Sequence, residues 1–238
     1  MNLLRTKGVT KKMETFQVIL ICLYVVFLVL YCFVKTRPKL ARARIFAKLV
    51  LATIYLSLAL ANLFTSGIYP FPFFKTAVCL ACVFAWAGDC LLLSKRTFAA
   101  GVAGFFVANL LLISAEVDLM GKINLGLGDF LGAAIIFVIF YGGLAVMQMG
   151  GFISFGKRVL PLNVYIATAT LSGSLGLMLA CNGNNIFYAL FGIGAGLFMV
   201  SDYLMGAYLY KFKIPVFTVA NSILYFSGMF MVALSLAF

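Results

Sequence analysis

The sequence predicts an all-α fold: a polytopic transmembrane helical bundle of about eight helices, forming one membrane domain over residues 1–238. Three observations carry that expectation. Of the 238 residues, 65% are hydrophobic and only 10% charged, and the mean hydropathy is +1.14, which leaves too little polar surface for a soluble protein. Apolar runs of about 20 residues recur along the chain, the length a helix needs to cross a hydrocarbon core of roughly 30 Å. The basic residues collect on alternate connections between those runs.

Taken in order, the first run (16–34) follows a tail carrying Arg5, Lys7, Lys11 and Lys12. It is about 19 residues long and no small-residue cleavage site follows it, so it reads as a first transmembrane helix and not as a signal peptide. The second run (45–66) begins after Lys35, Arg37, Lys39, Arg42 and Arg44. The third (73–93) leads to Lys95 and Arg96, and the fourth (97–116) leads to a connection with Glu116, Asp118 and Lys122. The fifth (129–149) and sixth (159–181) flank Lys157 and Arg158; the seventh (185–210) and eighth (214–237) flank Lys211 and Lys213. The odd-numbered connections are therefore basic, which by the positive-inside rule makes them cytoplasmic and sets both termini on the far side. The basic N-terminal tail pulls the other way. The net charge of +12 serves topology and attraction to anionic lipid. No compact basic domain exists to bind nucleic acid. The chain is thus expected to be an integral multi-pass protein, with the endoplasmic reticulum and plasma membrane the leading locations.

Several chemistries are excluded or discounted. There is no histidine, so neither a His-ligated zinc nor a Ser-His-Asp triad can be assembled. The six cysteines fall in or at the edges of apolar runs. The pair Cys79 and Cys82 in "CLAC" reads as small core residues within a helix. The segment "GIGAGLF" (192–198) contains GxGxG but lacks the strand that a dinucleotide fingerprint needs; Gly192 and Gly196, four apart, fit close helix packing. The ending "SLAF" matches no retrieval or prenylation signal.

The informative residues are carboxylates inside the membrane. Asp89, in "AGDCLLL", and Asp202, in "MVSDYLMGAYLYK", each lie in an apolar run where an ionised Asp costs roughly 2.5–3.5 kcal/mol. At 1.5 Å per residue Asp89 is about 9 Å from Lys95 and Asp202 about 13 Å from Lys211, so both are at similar depth on the basic side. No Lys or Arg is expected inside these helices to neutralise them. "FFVANLLLIS" (105–114) and "FTVANSILYFS" (217–227) echo each other, placing Asn109 after Asp89 and Asn221 after Asp202 at nearly equal spacing. The echo is either a coincidence in an alphabet restricted to apolar residues or the trace of two four-helix halves, 1–117 and 129–238, related by an axis along the membrane normal, which would turn both Asp-Asn pairs towards one cavity.

Over roughly residues 70–236, "CVFAWAGDCLLL", "GVAGFFVANLLLISAE", "GAGLFMVSDYLMGAYLYKF" and "ILYFSGMFMVALS", in that order and spacing, resemble the YhhN-like lysoplasmalogenase family of eight-helix membrane proteins. The resemblance implies hydrolysis of the vinyl-ether bond of lysoplasmalogens to a fatty aldehyde and a glycerophospho head group, with Asp89 and Asp202 as the catalytic pair. The chain departs from the family pattern at two places. Where the family typically has Ala-His followed three residues on by Tyr, this chain has Ala108-Asn109 and Leu112. Where a Gln usually follows a Tyr-Tyr pair, it has Met229 after Tyr225-Phe226.

Two carboxylates suffice for the implied reaction. Vinyl ethers hydrolyse by rate-limiting protonation of carbon, and water captures the resulting oxocarbenium-like cation. One aspartate would donate the proton and the other would stabilise the cation and take a proton from water, a division similar to that between paired carboxylates in glycosidases. Sequence does not say which is which. Asn109, Asn221, Tyr165 and Tyr225 are candidates to orient substrate, water or the carboxylates; as alternatives, each Asn could join helices and Tyr165 could anchor at the interface. Lys95, Arg96, Lys157 and Arg158 are candidates for the head-group phosphate. No cofactor or metal is expected; the expected partners are a lysophospholipid substrate and the bilayer. Two other classes suit the same carboxylates: a proton- or cation-coupled transporter or channel, and a non-catalytic lipid-binding homologue.

Overall fold

A computed structural model describes residues 3–63, 72–156 and 159–238. Among them all regular structure is helical, in eight helices long and apolar enough to span a membrane. These are α1 (Leu3–Lys35), α2 (Ala41–Leu63), α3 (Pro72–Leu91), α4 (Phe98–Met120), α5 (Leu127–Met149), α6 (Val159–Asn182), α7 (Ile186–Phe212) and α8 (Pro215–Ser235). Each takes in most or all of one predicted run, because a backbone in hydrocarbon must satisfy its own hydrogen bonds and an apolar run of this length has one way to do so. Punctuation fixes two of the starts: α8 begins on Pro215, whose missing N–H is harmless in a first turn, and Asn185 caps α7 by accepting from the Phe187 N–H at 3.4 Å.

One boundary matters for chemistry. The fourth run was expected to stop at residue 116, yet α4 continues to Met120. Glu116, which the charge pattern assigns to a connection, is therefore inside the bundle, 0% exposed, accepting from Ser172 Oγ at 2.9 Å. Charge alone misplaced it because a helix turn shielded by α6 tolerates a carboxyl that an open loop would leave in water.

Glycine sets how closely the helices meet. A Cβ on Gly194 would lie 2.8 Å from Gly228 O, so α7 and α8 touch backbone to backbone. A Cβ on Gly192 would run into Gly176 O of α6, which accords with reading "GIGAGLF" as a packing motif. Gly88 and Gly104 do the same for α3 and α4: their Cβ positions lie 3.1 Å from Gly101 O and Phe84 O respectively. In hydrocarbon, where association rests on such packing, these contacts fix the hairpins α3–α4 and α7–α8.

The remaining contacts close a ring. α4 packs on α6, and α8 packs on α1, α2 and α3. Tyr24 ties α1 to α8 by stacking on Phe230 (ring centroids 4.2 Å) and donating to Phe226 O at 2.7 Å. α5 stands outside the ring, packed chiefly on α6; 11% of its most apolar stretch is buried, against 50% for α7. Both α5 and α7 contain a π-helical turn, Val138–Gly142 and Tyr208–Phe212, a widening that often marks functional sites.

Candidate active site between the two halves of the ring

Packing α3 on α4 through Gly88 turns the next residue, Asp89, about 100° round the helix and away from that interface. It points into the junction of α2, α3 and α8. There Tyr225 OH donates to Asp89 Oδ2 at 2.6 Å and Tyr55 OH donates to the same oxygen at 3.2 Å. The Lys48 ammonium lies 3.0 Å from Oδ1 and reaches the Asp89 backbone carbonyl at 3.3 Å. Asp89 is 1% exposed, so this is a buried carboxylate with an opposite charge and two phenols around it.

Lys48 corrects the expectation that no cation would be available inside the helices. The signal was in the sequence: Lys48 interrupts the second apolar run about one turn after its start, and Arg44, Lys48 and Tyr55 share one face of α2 at spacings of four and seven residues. What no single helix reveals is that this face opposes Asp89.

Asp202 has a different setting. Tyr165 OH, from α6, donates to its Oδ2 at 2.7 Å, and among the described residues no Lys or Arg pairs with it. Beside it, Ser201 is fully buried and its backbone oxygen accepts from Asn221 Nδ2 at 2.8 Å, which holds α8 against α7.

Both aspartates line one cavity of about 750 Å³ at the end of the bundle that carries the odd-numbered connections. Tyr165, Asn221 and Tyr225 line it as well. Edge-on contacts from Phe105 and Phe198 (ring centroids 5.7 and 5.5 Å) hold the Tyr225 ring, so its hydroxyl is aimed by packing. Asn109 is not among the lining residues; it is 2% exposed, with no hydrogen-bond partner for its Nδ2. The Val-Ala-Asn echo therefore does not bring both Asn side chains to the cavity, because α4 turns Asn109 inwards while α8 presents Asn221 to the open space.

The cations on this cavity are also not those expected. Lys35, Arg44 and Lys48 line it, whereas Lys95 and Arg96 are exposed and not among its lining residues. Lys157 and Arg158 lie outside the described residues. Lys35, at the end of α1, is anchored by donating to Thr218 O at 2.5 Å and to Ser222 Oγ. Arg44 is exposed at the rim. The end of α1 and the first two turns of α2 supply these groups because α1 and α2 both pack on α8, which forms one wall. All six cysteines are free thiols, and among the described residues no three His, Cys, Asp or Glu side chains come together.

Fold and site together define a polytopic helical membrane protein with two intramembrane carboxylates on a single cavity rimmed by cations. Residues 43–236 match the YhhN family, and the chain belongs to it. The matched region takes in most of α2, and with it Arg44, Lys48 and Tyr55. No curated protein and no protein of solved structure matches the chain.

Proposed function

We propose that the protein is a membrane-embedded hydrolase that cleaves the vinyl-ether bond of lysoplasmalogens, releasing a fatty aldehyde and a glycerophospho head group. The observation that carries this reading is the unequal environment of two carboxylates on one cavity. Asp89 accepts from an ammonium and two phenols, a donor set that suits an anion, since a carboxylic acid would have to offer a hydrogen of its own. Asp202 accepts from one phenol at Oδ2, which leaves Oδ1 able to carry a proton. Asp202 is therefore the acid and Asp89 the stabilising anion and base.

The steps balance as follows. The Asp202 proton passes to the alkenyl carbon remote from the ether oxygen, leaving a cation shared by the adjacent carbon and that oxygen. The Asp89 carboxylate stabilises this cation and accepts a proton as water adds to the cationic carbon. The hemiacetal then collapses: its hydroxyl proton returns to Asp202, the carbon–oxygen bond to glycerol breaks, and Asp89 gives its proton to the departing glycerol oxygen. Both groups end as they began. Paired carboxylates around an oxocarbenium-like transition state do comparable work in glycosidases. Asn109, which stands where the family typically has His, takes no part in these steps. Arg44 and Lys35 are the cations that would meet the substrate phosphate, a group that planar guanidinium matches well.

The deciding experiment incubates the purified protein with an alkenyl lysolipid, and with its saturated alkyl counterpart as control, and quantifies aldehyde. Aldehyde from the alkenyl lipid alone, abolished by Asp202→Asn and by Asp89→Asn in folded protein, is the expected result. A folded wild type that releases none from either ethanolamine or choline lysolipids refutes the reading.

A further inference from the structure

A second cavity, about 380 Å³ and almost wholly apolar in its lining, lies between α5 and α7. It exists because α5 packs on α6 and stands away from α7, the two meeting mainly where the Phe140 and Tyr203 rings approach to 5.3 Å. Both π-helical turns border it, through Ile139 and Phe140 on α5 and Phe212 on α7. It adjoins the polar cavity: Phe155, Ile166 and Gly206 line both. Side by side, the two cavities present in order the cations Lys35 and Arg44, the two aspartates, and an apolar arm beside the outermost helix.

That order of chemistry, cationic then reactive then apolar, is the order of groups along a single-chain anionic amphiphile. We propose that the α5/α7 cavity is the chain-binding arm of the site, taking the hydrocarbon chain of a lysolipid, and that Gly143 gives the chain its room. A Cβ on Gly143 or on Gly206 would meet no atom within 4 Å; the space at both positions is open, and Gly143 belongs to the apolar arm alone. The proposal takes from the proposed function only that the ligand is a lysolipid, and it does not require turnover.

Length selection here is steric. A chain drawn from a bilayer or micelle gains almost nothing from one more apolar contact, since its surroundings were already apolar. A filled arm, by contrast, rejects surplus atoms at the cost of overpacking. Gly143→Phe should therefore exclude long chains and spare short ones.

The test measures binding of octyl and hexadecyl ether lysophosphoethanolamines, both saturated, to full-length protein in one detergent, and compares their affinity ratio between variants. Because neither ligand has a vinyl ether, the result stands whether or not the protein releases aldehyde. Gly143→Phe is expected to lower hexadecyl affinity by about 5- to 150-fold, the range that overpacking carries, with octyl affinity unchanged. Gly132→Phe, on the same helix with nothing within 4 Å of its Cβ position and outside the arm, is expected to leave both unchanged. Should Gly143→Phe fail to fold, Ala207→Phe fills the arm from the facing helix and is expected to give the same selective loss. A wild-type ratio in the arm-filling variant, or an equal loss of both ligands in folded protein, overturns the proposal.

Discussion

Lys48→Met removes the ammonium from Asp89 while keeping most of the side chain's apolar length. Breaking a buried ion pair by deleting one partner costs about 3–5 kcal/mol, because the other charge is left uncompensated. Two features of this pair reduce that figure. The Lys48 side chain is 16% exposed against 2% for Asp89, so water screens part of the interaction, and the phenols of Tyr55 and Tyr225 continue to donate to Oδ2. A loss of roughly 2–3 kcal/mol follows. For a chain of this size each kcal/mol moves Tm by about 2–4 °C, giving a fall of roughly 4–12 °C. The assay is thermal unfolding in one detergent at one scan rate, for wild type, Lys48→Met, Asp89→Asn and the double variant. The double variant should recover part of the summed loss, because Asn leaves no buried charge to compensate. A Lys48→Met protein that melts with the wild type, or strictly additive losses, would falsify the view that this pair is a coupled, buried unit.

Two further outcomes follow from the geometry. Arg44→Gln should weaken binding of a phosphate-bearing ether lysolipid by up to about fivefold while leaving an uncharged alkylglycerol unaffected, since an exposed charge contact is worth up to about 1 kcal/mol; equal effects on both ligands would remove Arg44 from head-group recognition. Gly194→Leu forces a side chain to within 2.8 Å of Gly228 O and Val232 Cγ2, so it should lower Tm by at least the 1–3 kcal/mol equivalent typical of overpacking, whereas Gly132→Leu, with open space around it, should not.

The sequence by itself determined the eight spans, the basic end of the bundle and the family. Each of those follows from local quantities: the length of an apolar run, the charge between runs and an ordered set of short motifs. It also singled out Asp89 and Asp202, because a carboxylate in hydrocarbon is conspicuous wherever the helix turns. Tyr165 and Tyr225 entered as polar candidates to orient those carboxylates, and Asn221 through the Val-Ala-Asn echo.

Only the tertiary structure decided which groups meet. Lys48 went unremarked in the sequence until α2 was set against α3; Glu116 looked like a loop residue until α4 ran on beneath α6. Asn109 and Asn221 share a motif, yet one is enclosed and the other lines the cavity, since the same three letters say nothing about which neighbour a helix face finds. The apolar arm is the extreme case. It consists of space between α5 and α7, and space is set by where glycine contacts draw helices together and where none draws α5 to α7.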